Sequence, residues 1–130
     1  MLVNTGACRL YHVTGLDGTD PGLELVHDAK SPACATPVVV GQYWIQANAG
    51  ARRVFALDVS DLKHIRQTSS VSFDERQRPH WLATDGTRIV VANEPVDAAE
   101  RRLWVLRLDR SNGQLTLDTE FRLESARNFL

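Results

Sequence analysis

Apolar and polar residues alternate with a period of two along most of this chain, and no segment carries a convincing helical period. Strands are therefore predicted wherever β-branched and aromatic residues cluster between turn formers. In the first third these are residues 8–14 and 23–27, around the loop Gly15–Gly22, with Val3-Asn4 as the end of an earlier strand. The middle holds 36–40, 43–48, 53–59 and 64–73. The last third holds 79–83, 88–93, 101–109 and 114–123. Thr36-Pro-Val-Val-Val40 is a continuous apolar run, which suits a strand buried on both faces. Polar alternation at 64–73 suits a strand with one wet face, and Leu115 and Leu117 are expected to point inward. Pro95 and the strand after it limit any helical turn over 94–102.

The pattern repeats. Asn4, Asn48 and Asn93 each end a strand, and a loop then leads to Arg9, Arg53 or Arg102, which opens an apolar-aromatic strand. The asparagines fall 44 and 45 residues apart, the length of one four-stranded propeller blade. Gly41 and Gly86 each stand seven residues before their asparagine, where a turn needs positive φ. The fold class expected is all-β, an incomplete β-propeller of about two and a half antiparallel blades. The divisions are a half blade at 1–31, blades at 32–76 and 77–123, and a tail at 124–130 or a lead into a further blade. Trp44, Trp81, Trp104, Tyr11 and Phe55 are expected between blades, filling gaps of roughly 10 Å. A closed ring of four blades needs roughly 170 residues at this period. With 130 residues beginning mid-blade, the chain reads as a fragment of a larger ring, or as a small protein whose missing strands come from a partner or a second copy.

Composition narrows the partners. Hydrophobic residues make up 43% and charged ones 24%, as in a folded soluble chain. Net charge is −1, with no basic cluster beyond Arg52-Arg53 and Arg101-Arg102, which excludes a nucleic-acid partner. The longest uncharged run, 33–51, is broken by Gly41, Gln42, Gln46 and Asn48, so no membrane span is expected. Met1 is not followed by a secretory leader, which favours the cytoplasm, although an internal start leaves the compartment open. Cys8 and Cys34 form no CxxC pair and lie in different blades, so two free, packed thiols are expected. His12, His27 and His64 lie at unrelated strand positions and form no metal set, and the sequence leaves the cofactor unknown. A small molecule or a protein remains as partner, with self-association through exposed blade edges.

The unit Asp85-Gly-Thr-Arg-Ile-Val-Val-Ala-Asn93, followed by a strand ending at Asp109 and by Gly-Gln-Leu-Thr-Leu117, resembles a YVTN-type propeller repeat; Asn48 and Asp58 match it again. Arg78-Pro79-His80 with Asn93-Glu94 resembles lactonase-type seven-bladed propellers, which include 6-phosphogluconolactonases. Arg-Pro-His-Trp-Leu-Ala is also similar to propellers of the selenium-binding-protein, or methanethiol oxidase, kind, where Pro-His segments aim imidazoles at the central channel. The chain departs from lactonases in its order Arg-Pro-His, and from the metal-binding kind in lacking a second Pro-His, with Thr36-Pro-Val38 at the corresponding place.

The resemblance implies His80 and Glu94 as candidate catalytic residues and Arg78 as the candidate substrate-binding residue. An imidazole on an inner strand can act as base or metal ligand, or can simply bind a neighbouring blade's backbone. Glu94 either faces the substrate opening or is a solvated loop charge. Arg78 can hold a carboxylate or phosphate in two-pronged fashion, or pair with nearby Asp74 and Glu75. Two functions follow: a lactonase-like hydrolase or related channel-site enzyme acting on a small anionic molecule, or a binding scaffold without chemistry. A fold alone does not choose between them.

Overall fold

Residues 1–94 and 103–121 are described by the computed structural model, and among them no helix forms. The strands are β1 (Leu2–Asn4), β2 (Arg9–Thr14), β3 (Gly22–Asp28), β4 (Val38–Val40), β5 (Tyr43–Asn48), β6 (Arg53–Asp58), β7 (Arg66–Ser72), β8 (Pro79–Thr84), β9 (Arg88–Asn93), β10 (Leu103–Asp109) and β11 (Gln114–Leu117). Each sheet is an antiparallel meander in chain order: β1-β2-β3, β4-β5-β6-β7 and β8-β9-β10-β11. The expected Arg101 and Arg102, the end of the last strand at 122–123, Pro95 and the tail at 124–130 lie outside the described residues.

Turn chemistry sets these hairpins. Gly41, Gly86 and Gly113 hold φ of 58°, 93° and 76°, values that a Cβ disfavours. Asp58 and Asp109 end β6 and β10 in the same way, each carboxylate accepting both the amide and the hydroxyl of the serine two residues on.

Two apolar layers join the three sheets. Trp44, Phe55 and Leu57 of the second sheet pack on Leu2, Leu10 and Val26 of the first. On its other face Tyr43, Ile45, Val54 and Ala56 pack on Ile89, Val91, Leu106 and Leu115 of the third. Trp104 lies in that second layer against Phe73, with ring centroids 4.8 Å apart. Leu117 shares the inward face with Leu115 but stays half exposed at its margin.

Three expectations are corrected. Cys8 and Cys34 are not free thiols; they form a disulfide, with Cα atoms 5.0 Å apart. Cys8 stands in the turn before β2, and Cys34 bridges Asn48 just ahead of β4, so stacking brings the corners of successive sheets together. Trp81 is half exposed, and Tyr11 lies beside Val3 and Leu25 on the first sheet's other face, so neither packs between sheets; among the described residues no further sheet covers those two faces. The run 36–40 is not buried on both faces: Val39 is 54% exposed, since β4 is an edge strand and the neighbouring first sheet has only three strands.

Candidate functional site

The third sheet begins with a polar corner. Asp74 caps it: its carboxylate accepts the Arg76 amide at 2.9 Å and its carbonyl the Gln77 amide at 3.1 Å. The chain then enters β8, whose pairing with β9 shifts by one residue between Pro79 and Trp81. Pro79 stands opposite Asn93 and Trp81 opposite Ala92, so His80 is the extra residue of a bulge. Bulges re-aim a side chain and are frequent beside active sites.

Asn93 ties the corner together. Its side-chain oxygen accepts the Arg78 amide, and the next amide, that of Glu94, donates to the Arg78 carbonyl at 2.8 Å. The Arg78 guanidinium meets the Glu94 carboxylate at 3.4 Å. Arg78 thus pairs with Glu94, not with Asp74 or Glu75. Both side chains are about two-fifths exposed, so the pair is screened and open to exchange with an incoming ion.

His80 tilts against Trp81, with ring centroids 4.3 Å apart. Its Nδ1 is buried and has no hydrogen-bond partner. Gln77, three residues earlier, is 2% exposed, and its Oε1 is buried without a partner as well. Buried polar atoms are paired in most proteins, so two orphans within four residues need a reason. Among the described residues no group of three or more His, Cys, Asp or Glu could hold a metal ion.

The second sheet supplies a comparison inside the molecule. There Cys34 stands opposite Asn48 as Pro79 does opposite Asn93, and the Ala49 amide donates to the Ala33 carbonyl at 2.9 Å. Ala33, Ala35 and Ala49 therefore occupy the places of Arg78, His80 and Glu94. The counterpart of Pro79-His80 is Cys34-Ala35, not the Thr36-Pro-Val38 stretch expected from the sequence. The two corners differ in detail: Ala33 holds a positive φ of 62°, and Asn48 accepts the Ala51 amide where Asn93 accepts that of Arg78.

No protein-family model matches the chain, and no curated protein matches it. Among solved structures it is similar to a hypothetical selenium-binding protein from Sulfolobus tokodaii, at 17% identity and a TM-score of 0.73. The match covers 87% of this chain and 34% of that one. The two share a fold; at that identity the likeness carries nothing about activity. The chain spans about a third of the length of this neighbour.

The three asparagines bond differently. Asn4 donates to the Ala35 carbonyl of the next sheet at 3.1 Å, and Asn48 accepts the Ala51 amide at 2.9 Å while donating to Ser31 Oγ at 2.9 Å. The sequence reading missed Gln77. It lies in the polar run Asp74-Glu-Arg-Gln-Arg78, where composition does not show which residue turns inward.

Proposed function

We propose that the three sheets are consecutive blades of a β-propeller ring, and that the corner of the third blade is one wall of a channel site. The ring would be a lactonase-like hydrolase, or a related channel-site enzyme, acting on a small anionic molecule. One observation carries the reading: the His80 imidazole presents a buried, unpartnered nitrogen at a bulge whose counterpart in the second blade is Ala35. With no protein partner to hold it, the imidazole would be free to turn this nitrogen toward the channel, where it could take a proton from a water molecule attacking a carbonyl. Arg78 would bind the substrate's anionic group, exchanging its exposed partner Glu94 for a two-pronged contact. Glu94, released from Arg78, would then face the same opening as a second acid-base group. Gln77 Oε1 is an acceptor suited to a substrate hydroxyl.

The disulfide bears on compartment. Such bonds persist where the surroundings are oxidising, which favours export over the cytoplasm.

The test is hydrolysis of a phosphorylated or carboxylated sugar lactone, followed by acid release at constant pH. Turnover should vanish in His80→Ala, and Arg78→Ala should raise KM with a smaller change in kcat. These three sheets alone, one wall of the channel, should be inactive; if a completed ring that contains them neither hydrolyses nor binds such lactones by calorimetry, the site is not a lactonase site, and a binding scaffold becomes the better account.

A further inference from the structure

We propose that His27 is a pH-sensitive latch between the first and second sheets: neutral, it completes the apolar layer between them, and protonated, it releases the edge strand β3. The latch needs neither a closed ring nor catalysis.

A bulge sets its position. Pairing of β2 with β3 shifts at Leu10/Tyr11, so Leu10 stands opposite His27, Tyr11 opposite Leu25, and Val26 is the extra residue. A bulge turns side chains out of simple alternation, and here two successive residues of β3 reach the layer. Val26 packs on its core, and His27 walls a cavity of about 10 Å³ together with Cys8, Leu10, Cys34, Trp44 and Phe55. That volume holds one water molecule at most, so an imidazolium there cannot be hydrated while the sheets stay together. The ring is half-buried, and burial disfavours its charged form.

The groups around it do little to offset a charge. The Asp28 carboxylate favours the imidazolium, but it already accepts the Lys30 amide at 2.8 Å and meets the Arg9 guanidinium at 3.4 Å. On β2, Arg9 borders the same cavity, and His12 lies opposite Glu24, towards the far end of β3. From β1 come only Leu2 and Asn4. In the second sheet, β5 presents Trp44 and Gln46, whose Oε1 accepts the Trp44 indole at 3.1 Å. On β6, Leu57 follows Phe55, and the Arg53 guanidinium lies 5.2 Å over the Phe55 ring. Beyond β6, Arg66 is tied to Asp58 and His64 to Asp61.

Of the two strands that bring this layer together, β3 is the one to yield. It is the edge of its sheet, whereas β2 follows Cys8, which is bonded to Cys34 beside the second sheet. A freed imidazole binds its proton more tightly than the buried one. The closed form is therefore complete above about pH 6.5 and is lost progressively below it.

Amide hydrogen exchange of the full chain, read residue by residue at pH 7 and pH 5 and corrected for intrinsic rates, tests this. Protection of the β3 amides should fall several-fold, up to a ceiling of about 25-fold set by a freed imidazole near 6.5. At pH 5 those amides should exchange distinctly faster than those of β2 and β9, the mark of a local opening. His27→Phe keeps a ring that cannot be charged and should hold β3 protection equal at both pH values. His27→Gln, a second neutral variant, should do the same and guards against poor packing of the first. His12→Gln and His64→Gln should leave the wild-type fall intact. Unchanged β3 protection in the wild type, a fall that persists in both neutral variants, one that vanishes in His12→Gln or His64→Gln, or equal exchange of β2, β3 and β9 at pH 5 would each overturn the latch.

Discussion

The Ser69 hydroxyl donates to the Gly113 carbonyl at 2.7 Å and accepts the Leu115 amide at 2.9 Å, linking the second sheet to the β10–β11 turn of the third. Thr68 adds a second hydroxyl to the same carbonyl at 2.9 Å. A Cβ on Gly113 would lie 2.5 Å from Tyr43 Cε1 and 2.6 Å from Thr68 Oγ1, at a φ that already disfavours one. Gly113→Ala should therefore cost about 3 kcal/mol, combining backbone strain with overpacking. Urea unfolding measures it, and a loss below about 0.5 kcal/mol would mean the turn is not held against the second sheet.

The disulfide is buried in the layer between the first two sheets, with Asn48 Nδ2 at 3.5 Å from Cys8 Sγ. It closes a loop across 26 residues. Replacing both cysteines by serine should lower stability by about 3.5 kcal/mol, as loop entropy predicts for that length. A thiol titration of the denatured, unreduced protein should find no free thiol. Two reactive thiols would remove the clamp.

Acid should unfold the chain through its turn aspartates. Hydrogen bonds from the Ser60 hydroxyl and amide hold the Asp58 carboxyl below its ordinary value, and Ser111 does the same for Asp109. A carboxylate with a lowered folded pKa contributes stability that is complete above its unfolded value, about 3.9, and is lost as pH falls through the folded one. The melting temperature should begin to fall below about pH 6.5, where burial of His27 disfavours its charged form in the folded chain, and fall more steeply below about 4 as the aspartates protonate. Asp58→Asn should lower it at neutral pH and flatten that acid slope; an unchanged slope would count against Asp58 as a contributor.

Replacing Arg78, His80 and Glu94 together by alanine should change stability by less than about 0.5 kcal/mol, since Arg78 and Glu94 form a screened, part-exposed pair and the buried His80 Nδ1 has no bond to lose. Asn93→Ala should cost about 1–3 kcal/mol, because the Arg78 amide loses its acceptor. Equal losses in the two variants would make the three charged and polar side chains structural.

Much of the fold was legible because its causes are local. Alternation places Ile89, Val91 and Leu106 on one face whatever lies opposite, and Gly41 and Gly86 meet a φ requirement of their own hairpins. The site was half legible. Arg78, His80 and Glu94 stand out as unusual beside the repeat, yet which of them pair is a matter of distance between β8 and the end of β9. Gln77 carried no signal, because its burial depends on what packs above the corner.

The sequence by itself determined the strands, their turns and the repeat of about 45 residues, since these follow from side-chain alternation and backbone preference within a few positions. Only the tertiary structure decided that Cys8 bonds Cys34, that Arg78 pairs with Glu94, and that Trp81 and Val39 lie in the open. Each of these depends on which sheet corners and faces come within a few ångströms of one another, or on where no further sheet covers a face. Stacking sets those distances, and no short-range pattern encodes them.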